Sequence, residues 1–405
     1  MTIHVYPTSD DSVAGIAPAG RPLMAVSGVS VSPWIRSFKW DGFWILSGFW
    51  IPTLFLCLPL QSSKYLIFGL TLCFWIGHRI SSTYLAFCVG EYRQVIRAKP
   101  VYFLVFPACL FCLLMAFVLC PESLLPIPRL WRFFALGFLD YFLSLYHFSV
   151  QHYGVLSVYR GRLAHGQKDP GLLKWDWWIC IGVSGIFSIV IEYLNGDLGQ
   201  LQLFSAQPTA LTSGFAASLL WLRPLLSALV LGFWGLTVGL YLQKRQGIAR
   251  LLYFSTLCYM TLVSFYVDPF LYFSIVQIQH WLVSLGLTTH MAENARLGPQ
   301  SRWYAPWARI NATAWGPLLV LVLLSICLTP FLEADYFIAQ GFSSDGLVVQ
   351  HFLDHFNGSG WIWFFGGLAF FSSFLHYIYD RGVFRFSDPL TRKAAIGLLR
   401  PRADS

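Results

Sequence analysis

The chain has 405 residues, of which 56% are hydrophobic, 18% aromatic and only 11% charged, with a formal net charge of +8. A water-soluble domain carries about 25% charged residues, so the composition excludes an ordinary soluble domain and reads as an integral membrane protein. The excess of positive charge belongs to loops at an anionic membrane surface and gives no reason to expect a nucleic-acid partner.

Residues 1–39 mix Pro, Ser and Gly and lack the charged start, apolar stretch and cleavage site of a signal peptide. They read as a cytoplasmic tail, with the first span directing insertion. Apolar runs long enough to cross a hydrocarbon core follow at 40–60, 65–90, 101–120, 131–158, 176–195, 216–242, 251–268, 270–290, 314–330 and 361–380, and 381–405 is a basic tail. The expected fold class is an all-α transmembrane bundle of about ten spans. Asp268-Pro269 separates two of these spans, because the residue before proline disfavours helix. With both termini inside, 22 of the 27 Lys and Arg fall on the cytoplasmic side. Lys64, Arg129 and Arg132 fall outside, and Arg79 and Arg223 lie within spans. Such asymmetry is what the positive-inside rule expects. The nine Cys lie almost wholly in spans and read as small apolar filler.

Histidine placement points to chemistry. Eight of the ten imidazoles stand in or beside spans: His78, His147, His152, His280, His290, His351, His355 and His376. Ionisable groups in a bilayer cost on the order of 2–3 kcal/mol each and usually face the bundle interior. Neutral imidazole binds iron, zinc and copper without bringing charge into a low-dielectric site. A histidine-lined metal centre is therefore the first expectation; the plainer alternatives are interhelical hydrogen bonding for His78, His147 and His152, an interfacial position for His290, and an exposed, solvated amphipathic turn for His351 and His355.

In chain order, His78-Arg79 comes first. His78 is a candidate ligand, and the fixed cation Arg79 needs an anionic partner, for which Asp140 is the candidate. In 131–158, Asp140 and His147 lie about 20° apart in azimuth on a regular helix, and Gln151 follows His147 by one turn, so one face presents Asp, His and Gln. His147 and His152 are about 140° apart and share an ion only if the helix bulges or bends. In 270–290, Gln277 precedes the candidate ligand His280, while His290 lies about 15 Å farther along and cannot join it. His351 and His355 form an i,i+4 pair with chelating geometry. They reach the other histidines only if 341–358 re-enters the bundle. His376 and Asp380, one turn apart near the cytoplasmic end of the last span, read either as a ligand or acid/base histidine held by a carboxylate, or as an interfacial anchor with Arg381.

The pattern resembles the histidine-motif integral membrane oxygenases and desaturases, and within them the beta-carotene dioxygenases of the Brp/Blh type. There, single histidines from separate helices and one HxxxH pair hold non-haem iron; the matching elements are His78, His147 or His280, and His351/His355. The HxxHH boxes of desaturases are absent, and the chain is longer than a typical carotene dioxygenase. The expectation is a membrane oxidoreductase with a non-haem iron centre, or zinc or another transition metal. His78, His147, His152, His280, His351 and His355 are its metal ligands; Asp140, Arg79, His376 and Asp380 its catalytic groups; Gln151 and Gln277 its cofactor contacts. It would take a hydrophobic substrate from the bilayer and electrons from a donor protein. A proton-coupled transporter and a haem protein are the alternatives.

Overall fold

The computed structural model describes residues 32–163, 169–182, 223–267, 269–295, 304–332 and 361–399, which are helical with no strand among them. Prolines mark several helix starts, where the missing N–H costs nothing. Helix α1 is Ser47–Cys57, and α2, Leu60–Cys88, begins after Pro59. A π-helical turn at Val101–Val105 leads into α3, Phe106–Leu119, and α4, Arg129–Gly161, follows Pro128. Then come α5, Gly171–Ile179, α6, Arg223–Gln243, and α7, Ile248–Ser264. Helix α8, Pro269–Glu293, begins at the proline expected to break the chain there. Helix α9 is Trp315–Leu332, α10 is Trp361–Val383, and α11, Pro389–Leu399, closes the described part.

Three helical stretches, Val101–Leu119, Arg129–Gly161 and Arg223–Gln243, are long and apolar enough to cross a membrane. A fourth would arise if Tyr304–Ile310 and Trp315–Thr329, which meet at 104°, were one bent span. Helices α1 and α7 are apolar but shorter. In α2, α8 and α10 the apolar run is diluted by polar residues carried inward, among them His78, Arg79, Gln279, His280, His376 and Asp380, all buried. Outward-facing Leu113, Phe138, Leu139, Leu229, Leu231 and Leu236 are exposed. Side chains of this kind, presented along helices of spanning length, suit a hydrocarbon solvent.

Arg132, read from sequence as an outer-loop cation, is fully buried and ties off a helix end. Its guanidinium donates to the carbonyls of Ile127 (2.8 Å), Phe117 (3.0 Å), Cys120 (2.5 Å) and Leu125 (2.8 Å). The last carbonyls of α3 and of the following turn have no intrahelical partners, and one planar fork satisfies them.

Side-chain register fixes how the central helices run. Trp75 stacks on Trp281 and Ser81 meets Ser284, so α2 and α8 are parallel. Arg79 meets Ser372 and Phe87 meets Tyr379, so α2 and α10 are parallel. Asp140 meets Ser373 and His147 meets Asp380, seven residues on in both, so α4 and α10 are parallel as well. Helix α9 runs the other way: Gly77 packs on Leu321, while Tyr84, farther along α2, bonds Asn311, just before α9 begins.

Candidate metal centre

Each of the four mutually parallel helices carries one histidine to a common level: His78 from α2, His147 from α4, His280 from α8 and His376 from α10. Neighbouring rings form a closed circuit, with centroid separations of 4.5 Å for His78–His280, 4.9 Å for His280–His147, 4.7 Å for His147–His376 and 4.3 Å for His376–His78. Across the circuit, His78 and His147 are 6.4 Å apart. One nitrogen from each ring lies within 4.8 Å of one from every other ring. The Nε2 atoms of His147 and His376 are 3.1 Å apart. A tetrahedral ion with metal–nitrogen bonds near 2.0–2.1 Å needs nitrogens about 3.3 Å apart; the His147–His376 pair already has that spacing, and the wider pairs, within 4.8 Å, would have to close by up to about 1.5 Å to seat one ion.

Local sequence explains the convergence. On α4, Asp140, Ser144 and His147 share a face; on α10, Ser373, His376, Tyr377 and Asp380 do. Ser373 donates to Asp140 Oδ1 (2.6 Å), Tyr377 donates to the same oxygen (3.1 Å), and Ser144 pairs with the Tyr377 hydroxyl (2.6 Å). These bonds register α4 against α10 and set His147 beside His376. Between α2 and α8, the Trp75–Trp281 stack (5.6 Å) and the Ser81–Ser284 bond (3.1 Å) do the same for His78 and His280.

The imidazoles are poorly supplied with protein partners. His78 Nδ1, His376 Nδ1 and both nitrogens of His280 are buried without a hydrogen-bond partner among the described residues. Buried polar nitrogen left unsatisfied costs on the order of 1–3 kcal/mol, and a shared cation is a partner that several such nitrogens can take at once. Asp380 stands at the rim, with Oδ2 3.4 Å from His147 Nε2 and Oδ1 3.7 Å from His376 Nδ1.

The remaining sequence candidates lie as follows. His152 is buried on α4 but turned from the circuit, with Nδ1 2.7 Å from the Tyr253 hydroxyl of α7. Helix α4 stays regular α-helix across His147 and His152, so the bulge needed to bring both to one ion is not there. Gln151 keeps a buried, unpartnered Oε1, and Gln277 is half-buried; neither hydrogen-bonds the four rings. His290 sits at the far end of α8 near the Leu399 carbonyl. Arg79 and Asp140 are not among the ion pairs found between described residues. Instead Arg79 donates to Ser372 (3.3 Å) and the Leu332 carbonyl (3.4 Å), lies over Trp75, and faces Asp140 across adjacent serines of α10. His351 and His355 lie outside the described residues. Sequence reasoning passed over Ser144, Ser373 and Tyr377; the i,i+4 spacing of Ser373 and Tyr377, three residues before and one after His376, was the available signal.

The chain matches no family model, and neither the curated proteins nor the solved structures gave a match.

Proposed function

We propose that this is a multi-pass membrane oxidoreductase of about ten spans, with both termini cytoplasmic, whose four-histidine centre holds non-haem iron. The observation that carries the reading is the convergence of His78, His147, His280 and His376 from four separate helices. Parallel neighbours in a membrane require returning spans between them, which supports the alternating topology read from the basic residues.

Four imidazoles fit a divalent transition ion. Iron prefers six ligands, so such an ion would keep positions open for oxygen and substrate chemistry. When bound, it would supply the redox step. The chain's own residues would hold it, exclude water and present an apolar approach. His147 is the least buried of the four, on a helix whose Phe138, Leu139, Phe142 and Tyr146 are exposed; this supports entry of a hydrophobic substrate from the bilayer beside α4. The circuit disfavours haem, because a porphyrin between any two rings would collide with the other two. An electron-donor protein on the cytoplasmic side completes the proposal.

The test is metal analysis of the detergent-purified protein and of single alanine variants at the four histidines. About one iron per chain, lost in each folded variant, supports the reading. A folded protein with no bound transition metal after reconstitution refutes it and returns the histidines to a proton- or substrate-carrying role.

A further inference from the structure

Two buried atoms at the edge of the centre face each other without a bond. Among the described residues His376 Nδ1 has no hydrogen-bond partner within 3.5 Å, and neither has Asp380 Oδ1. They are 3.7 Å apart, one turn apart on α10, with side chains 2% and 9% exposed. The other nitrogen of His376 points the opposite way, to His147 Nε2 at 3.1 Å. An imidazole that gives Nε2 to an ion carries its proton on Nδ1, which then seeks an acceptor. A rotation of the ring by a few tenths of an ångström at Nδ1 would bring it within bonding distance of the waiting carboxylate.

We infer that Asp380 is the orienting carboxylate of the centre, accepting the Nδ1–H of His376 so that Nε2 is presented to the ion. This rests on the metal-site reading above and adds to it a positioning residue and a fixed tautomer. Several features single out Asp380. Asp140, the other buried carboxylate nearby, is already engaged by Ser373 and Tyr377. The second oxygen of Asp380 lies 3.4 Å from His147 Nε2, so its charge also stands beside the ion's seat. In a low-dielectric interior one anion close to four neutral ligands offsets part of the charge a divalent ion brings in. A plain helix anchor at the cytoplasmic interface would need neither oxygen directed at an imidazole.

The experiment uses the full-length protein in detergent with cobalt(II) as the probe, its dissociation constant measured by chelator competition and its ligand field read from the visible spectrum. Outer carboxylates of this type change metal affinity by roughly 10–100-fold. Asp380→Asn, which keeps shape and loses charge, should weaken cobalt(II) binding at least about tenfold with the visible bands shifted; Asp380→Ala should weaken it further, and Asp380→Glu should recover most of the loss. In a His376→Ala background the effect of the Asp380→Asn change should shrink at least about threefold, because the Nδ1–H contact is gone and only the direct effect of the charge beside His147 remains. Wild-type affinity in Asp380→Asn, or an undiminished effect in the His376→Ala background, overturns the inference while leaving the metal site standing. Failure of the wild-type protein to bind cobalt(II), zinc(II) or iron(II) overturns both.

Discussion

At Gly77, the residue before His78, α2 packs tightly against α9. A methyl group added there would lie 2.7 Å from the Leu321 carbonyl oxygen and 3.2 Å from its carbon. Both are backbone atoms of a packed helix, so no side chain can swing aside. Ordinary contact begins near 3.4 Å, and α2 must therefore recede from α9 by about 0.7 Å; overpacking of this kind costs roughly 1–3 kcal/mol. The same displacement carries His78 with it. Gly69, two turns earlier on the same helix, has nothing within 4 Å of the added methyl. There, exchange of glycine for alanine should be neutral or stabilising by up to about 1 kcal/mol. The assay is thermal unfolding in detergent, followed with and without added iron(II), for Gly77→Ala and Gly69→Ala side by side. Gly77→Ala should melt lower and gain less from the metal than wild type. Equal melting of the two variants, with equal response to metal, would refute the close approach of α2 to α9 and the placement of His78 that depends on it.

Further outcomes follow from particular contacts. Arg132→Lys should destabilise the protein nearly as much as Arg132→Met, by at least about 3 kcal/mol, because a single ammonium cannot reach the four carbonyls held by the planar fork; denaturant titration measures this. His152→Phe should keep full metal content, since His152 serves Tyr253 and not the centre; loss of metal from the folded variant would contradict the geometry. Tyr377→Phe and Asp140→Asn should each loosen α4 on α10 and be less than additive together, as both belong to one hydrogen-bonded set, and a double-mutant cycle on melting temperature checks it. Beyond the end of α10, Lys99 pairs with Asp388 at 2.6 Å, and this bond, with the Thr391 backbone N–H, holds the Asp388 carboxyl well below its usual range. A carboxylate whose pKa is depressed on folding contributes stability above its unfolded value near 4 and loses it as pH falls toward the folded value. The melting advantage of wild type over Asp388→Asn should therefore be constant above about pH 5 and shrink below pH 4; an advantage that grows with acidity would reverse the sign of the linkage.

Helix positions were largely legible in the sequence, because apolar runs and prolines act locally. Each segment chosen on hydropathy is mainly helical where it is described, with breaks such as Leu46, Leu58–Pro59 and Phe265–Val267, and Pro269 opens α8 where the chain was expected to turn. Which histidines meet was not legible. Each of the four is buried for reasons visible locally, yet their meeting depends on contacts between residues far apart in sequence, such as Trp75 with Trp281 and Asp140 with Ser373. His376 was read both as a ligand or acid/base group and as an interfacial anchor, because it lies nearer the end of its span than the others; in the structure it joins the circuit. It does so because α10 stops at Val383, seven residues on, whereas α4 runs fourteen residues past His147 to Gly161. His152, expected among the ligands, lies outside the circuit, in keeping with its azimuth of about 140° from His147 on a regular helix. The Arg79–Asp140 pairing was inferred from two lone charges at similar depth; in the structure each bonds one of two adjacent serines of α10, Arg79 to Ser372 and Asp140 to Ser373.

X-ray absorption at the metal edge of the iron-reconstituted protein tests the central claim most directly. Three or four nitrogen scatterers near 2.0–2.2 Å, with the outer-shell pattern of imidazole rings and its stepwise weakening in His147→Ala and His280→Ala, is the expected result. A first shell of sulfur or of oxygen alone, a porphyrin pattern, or a spectrum unchanged by both substitutions would contradict a centre built from His78, His147, His280 and His376.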